Sequence, residues 1–80
     1  MSAAAPTVLW RLFKRHGQRG LGGKSQHVRA VILPGGPPHT LAFFANDEMD
    51  RVENYDTMGL VLFRAQEIRQ SLLDDGFIED

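Results

Sequence analysis

TVLWRLFKR, residues 7–15, admits two secondary structures, and which one it takes sets the element order of the whole chain. As a strand it places Val8, Trp10 and Leu12 on one face and Leu9, Arg11 and Phe13 on the other. As a helix it gathers Leu9, Leu12, Phe13 and His16, with Gly17 as the stop. Thr, Val, Trp and Phe favour the extended form, and no capping box precedes the segment. The strand is therefore the preferred reading.

The segments that follow are easier to place. His16 to Ser25 (HGQRGLGGKS) holds four glycines and two cations and reads as a loop. Gln26 to Leu33 alternates Val28, Ala30 and Ile32 against Arg29, Val31 and Leu33, the pattern of a strand. The stretch Pro34-Gly35-Gly36-Pro37-Pro38 turns the chain, since proline supplies no ladder donor. His39 to Ala45 is the next strand, Asn46-Asp47 has turn chemistry, and Glu48 to Tyr55 returns as a polar edge strand.

The C-terminal segment reads as a helix of about 18 residues, roughly 27 Å long at 1.5 Å per residue. Met58, Val61, Leu62, Ala65, Ile68 and Leu72 recur three and four apart, which predicts one apolar stripe. Asp56 is expected to cap its start, and Gly76 to end it in a left-handed turn that folds Phe77 back on Leu72.

The expected fold is α+β: an antiparallel sheet of three to four strands with one amphipathic C-terminal helix on a face, in the order ββββα. The alternative order, αβββα, applies if residues 7–15 are helical. Residues 1–6 are expected to be a disordered tail, residues 7–78 a single domain, and residues 79–80 an acidic end.

Gly36-Pro37-Pro38-His39, followed by Phe43, resembles the Gly-Pro-x-His turn of double-stranded RNA-binding domains. The resemblance covers about ten residues and, with an N-terminal helix, implies the αβββα order and contact with an RNA minor groove. That family grips phosphates with lysines at the start of its last helix. Glu53-Asn54-Tyr55-Asp56-Thr57 stands there instead and would repel them.

Composition narrows the function classes. The chain has 80 residues, of which 42% are hydrophobic and 24% charged, a globular composition with room for one core. With no cysteine, disulfides, iron–sulfur clusters, thiolate zinc sites and cysteine nucleophiles are excluded. A domain this small often gains stability from a partner subunit. No apolar run reaches the ~20 residues that a membrane-spanning helix needs. In MSAAAPTVLWRLFKR the charges follow the apolar stretch, the wrong order for a secretory signal, so a cytoplasmic location is expected.

Charge is segregated along the chain. Residues 1–45 carry Arg11, Lys14, Arg15, Arg19, Lys24 and Arg29 and no acid, a sum of +6; residues 46–80 sum to −7, giving the net −1. The six cations are candidates for binding an anion or an acidic partner. Asp74 and Asp75, with Glu79 and Asp80, are a candidate docking patch for a basic surface. They sit where the helix dipole disfavours acids.

No catalytic motif stands out. Gln18 to Ser25 (QRGLGGKS) ends like a phosphate-binding loop, but Gln18 takes the place of the first required glycine and the next segment reads as a strand. Its glycine N–H groups could still form an anion nest beside Arg19 and Lys24. His16, His27 and His39 lack metal-ligand spacing, and no serine has a nucleophile context. No metal and no cofactor are expected, and Trp10, Phe43, Phe44 and Phe63 read as packing residues.

The middle strands are apolar on both faces, whereas one helix covers one face. Val31 and Phe44 are therefore candidate interface residues for a second copy or another protein. The chain is expected to be a non-enzymatic protein-interaction module and a homodimer through that second face. Binding of a nucleic acid or phosphate ligand by the basic glycine-rich loop is the alternative.

Overall fold

The computed structural model describes residues 5–16 and 24–80, and the side chains of His16 and Lys24 lie outside that description. In chain order the elements are β1 (Thr7–His16), β2 (Lys24–Ile32), β3 (His39–Ala45), β4 (Glu48–Tyr55), α1 (Met58–Asp74) and β5 (Ile78–Glu79). They form one antiparallel sheet in the order β4-β3-β2-β1-β5 with α1 across one face. The fold is thus α+β in the order ββββα. Residues 7–15 are a strand, so the αβββα order implied by the RNA-binding resemblance is not adopted.

Alternation alone misassigns the faces of β1. Val8 pairs with Val31 and Trp10 pairs with Ala30, so Leu9 is an extra residue in a β-bulge. The bulge brings Leu9 to the helix side beside Trp10, where both pack on the core. Val8 is left on the far face with Arg11 and Phe13. A one-residue insertion swaps every side chain beyond it, and here it moves an apolar residue out of the core layer. A second irregularity lies in β4, where Arg51 pairs with Phe43 and Met49 with Phe44, leaving Asp50 unpaired in the register.

The core lies between the sheet and α1. Ala30, Leu41, Phe43, Val61 and Ala65 are buried there, with Leu9, Trp10, Ile32, Tyr55 and Ile68 packed around them. Val61 is fully buried, but Leu62 is 48% exposed. The predicted stripe therefore holds two residues too many: Val61, Ala65, Ile68 and Leu72 face the sheet, while Met58 and Leu62 are exposed. At 3.6 residues per turn, Leu62 lies ~100° round from Val61, too far to share its face.

The start of the helix differs from expectation and its end follows it. Thr57 is the N-cap, in place of Asp56: its backbone is extended and its hydroxyl accepts from the Leu60 N–H at 3.3 Å. At the other end Gly76 has φ +105°, Phe77 N–H donates to Leu72 and Gly76 N–H to Leu73. This is the expected Schellman stop, and Phe77 is buried as that geometry predicts. The chain then adds a strand that periodicity did not reveal. Ile78 pairs with Phe13 and Glu79 with Leu12, making a fifth strand only two residues long.

The Asn46-Asp47 turn has φ of +51° and +69°, the left-handed pair of a two-residue hairpin. Asn46 fastens it to β2, where its side-chain oxygen accepts from His27 N–H and its own N–H donates to His27 carbonyl oxygen.

Candidate interaction surface

No element among the described residues covers the sheet face opposite α1. The register arranges that face in rows running across the strands. The first row is Val8, Val31, Ala42 and Val52, apolar on all four strands. The second is Arg11, Arg29, Phe44 and Met49. The third is Ile78, Phe13 and His27. The two candidate interface residues fall in the first two rows. Val31 is 4% exposed and its neighbour Ala42 is fully buried, while Phe44 is half-buried. The accessible apolar surface is supplied instead by Val8, Val52, Met49 and Ile78.

The second row holds the charge of the face. Arg11 and Arg29 stand directly opposite each other, a like-charged cross-strand pair that is unfavourable without a neutralising group. Arg29 is partly compensated: its guanidinium donates to Asp47 at 2.8 Å and lies 4.4 Å from the centre of the Phe44 ring. Arg11 and Arg15 make no ion pair among the described residues. Phe13 stacks on His27 at 5.8 Å. A depression of about 510 Å³ lies here, lined by Arg11, His27, Arg29, Asn46 and Asp47, with Asp80 at its edge.

The six candidate cations do not converge. Arg11, Arg15 and Arg29 belong to the open face. Lys14 points to the helix side, where Nζ donates to the Asp75 carbonyl at 2.7 Å and reaches its carboxylate at 3.3 Å. Arg19, the glycine nest and residues 17–23 lie outside the described residues, as does the Lys24 side chain. The candidate acidic patch is divided as well. Asp75 is matched by Lys14, and Glu79 pairs with Arg69 on α1. Asp74 remains on the solvent side of α1, accepting from Gln70 at 3.0 Å.

A separate ionic cluster joins β4 to α1. Arg64 approaches Glu53 through Nε at 3.1 Å and a terminal nitrogen at 3.4 Å, and Tyr55 donates its hydroxyl to the same carboxylate at 2.8 Å. The Arg64 hydrogen bond holds the Glu53 carboxyl below its usual range, against the opposing effect of desolvation. The carboxylate in turn raises the Tyr55 hydroxyl above its usual range. These bonds clasp β4 to α1.

The outer side of α1 is a second surface, and the sequence reading missed it. Leu60, Leu62 and Phe63 are exposed, Phe63 at 64%. Phe63 is therefore not a packing residue. The signal was present in Met58-Gly-Leu-Val-Leu-Phe63: a run of apolar residues on a helix points in every direction and cannot all face one sheet.

Among the described residues no three His, Asp or Glu side chains are placed to hold a metal ion, and no helix is long and apolar enough to cross a membrane. Comparison of the chain with protein-family models, curated proteins and solved structures found no match.

Proposed function

We propose that this protein is a non-enzymatic interaction module that works through its open sheet face and takes a second copy of itself as partner. The observation that carries this reading is the apolar row Val8–Val31–Ala42–Val52 across four strands, in which Val8 and Val52 are exposed and flank the buried Val31 and Ala42. Antiparallel sheets that face water ordinarily keep that side polar. Four main strands spaced ~4.8 Å, each rising ~3.4 Å per residue, offer roughly 500–650 Å². That is somewhat under the ~800 Å² per partner of a standard interface, which fits a weak, concentration-dependent association.

Light scattering after size exclusion, from micromolar to near-millimolar protein, tests it. The mass should rise above the 9.0 kDa of one chain with concentration. Val8→Lys and Val52→Lys, at two exposed positions, should hold it there. A wild-type chain that stays at one-chain mass throughout would overturn the proposal.

A second reading rests on the opposed Arg11 and Arg29, whose repulsion a phosphate group would relieve. Binding of inorganic phosphate or an oligonucleotide that falls steeply with salt, and is lost in Arg11→Gln, would favour it.

A further inference from the structure

The open face and the outer side of α1 are complementary to each other. At 3.6 residues per turn, Leu60, Phe63, Glu67, Gln70 and Asp74 form one stripe along α1, and all five are exposed. The stripe is apolar at its start and acidic toward its end. The open face has the matching order along its strands: the row of Val8, Val31, Ala42 and Val52, then the row with Arg11 and Arg29.

The spacings agree as well. Phe63 to Glu67 is one helical turn, about 6 Å along the axis. Val31 to Arg29 is two residues of strand, about 6.7 Å. A helix laid along the strands with Phe63 over the apolar row thus brings Glu67 over the arginine pair. The acid would supply the neutralising charge that Arg11 lacks among the described residues.

From this match we infer that the occupant of the open face is the outer stripe of α1 from a second copy, docked head to tail. The inference rests on the reading that the open face binds a second copy, and it names the surface used. A face-to-face pair would instead bring the Arg11–Arg29 row close to its own copy, with Asp47 and Asp80 the acids that share its depression among the described residues. In the head-to-tail contact each copy uses two different surfaces, so each added copy leaves one of each free. Association then continues past two copies unless a ring closes. The contact is small, so the association is weak and raised salt weakens it further.

Mixing two variants tests the arrangement. Val8→Lys blocks the sheet surface, on β1 beside the arginine pair, and Phe63→Gln blocks the helix surface. Both positions are exposed, and circular dichroism checks that each variant folds; Arg11→Glu and Leu60→Gln are the substitutes if one does not. Each variant alone should lose association roughly thirtyfold or more, as expected for a central interface residue. Mixed in equal amounts they should form a one-to-one pair that stops at two copies, since one intact surface of each kind remains. If Val8→Lys blocks association but Phe63→Gln self-associates like the wild type, the head-to-tail contact is overturned while the open-face reading stands. If both variants block association and the mixture stays at one-chain mass, the head-to-tail contact is likewise overturned. A wild-type chain that never associates overturns both.

Discussion

The indole N–H of Trp10 donates to the carbonyl of Ala65 at 3.1 Å, a bond across 55 positions of sequence that fixes β1 beneath the middle of α1. Trp10 faces the helix with Leu12 by ordinary alternation, and the bulge brings Leu9 to the same side. The same ring lies 6.2 Å from Phe43, so one side chain joins the first strand, the third strand and the helix. Trp10→Phe keeps an aromatic ring but removes the donor. It should cost about 1 kcal/mol for the hydrogen bond, read as a lower urea midpoint. Unchanged stability would mean that the bond contributes nothing net.

The buried face of α1 is distinguished from its neighbour by one residue. Val61→Asp places an unpaired carboxylate in the core and should destabilise by about 4 kcal/mol or more. Leu62→Asp should change stability by no more than about 0.5 kcal/mol, because the side chain is half in solvent. Thermal unfolding of the pair checks the rotation of the helix. A folded Val61→Asp beside an unfolded Leu62→Asp would mean that the helix is turned the other way.

The helix ends carry a separate test. Thr57→Ala should lose about 1 kcal/mol of stability and Asp56→Ala almost none, since only the Thr57 hydroxyl caps the first turn. Gly76→Ala should cost about 1 kcal/mol or more. Its φ of +105° strains any side chain, and the added Cβ would sit 3.4 Å from the Lys14 stem.

Glu53 makes stability depend on pH in one direction. Its folded carboxyl is held below the ordinary 4.5 by the Arg64 hydrogen bond. The contribution is complete above that ordinary value and is lost as pH falls through the lowered one. Wild-type stability minus that of Glu53→Gln should therefore be flat near neutrality and shrink on acidification. A difference that persists unchanged to about pH 3 would contradict the clasp.

Much of this architecture was legible in the residues. Alternation in Gln26–Leu33 and His39–Ala45, the Asn46-Asp47 turn, and the Gly76-Phe77 stop each report a backbone requirement set within a few neighbouring residues. What escaped the sequence depends on distant ones. The bulge at Leu9 is defined by its pairing with Val31 and Ala30, so it reverses the faces of β1 without any local mark. β5 is two residues long, too short for a period. The apolar character of the second sheet face could be read from Val31 and Phe44. Its row of four side chains could not, because Val8 reaches it only through the bulge. Met58 and Leu62 fit a helical stripe on spacing alone, and only the position of the sheet shows which side is buried.

If the open face docks a second copy, its backbone amides respond to protein concentration. Amide nitrogen–proton NMR spectra recorded from micromolar to near-millimolar protein test it most directly. Concentration-dependent shifts are expected at Val8, Val31, Ala42 and Val52, extending to Arg11, Arg29 and Phe44, with the core-facing Ala30 and Leu41 moving least. Spectra that superimpose across the whole range would contradict it, as would shifts confined to the outer edge of β4.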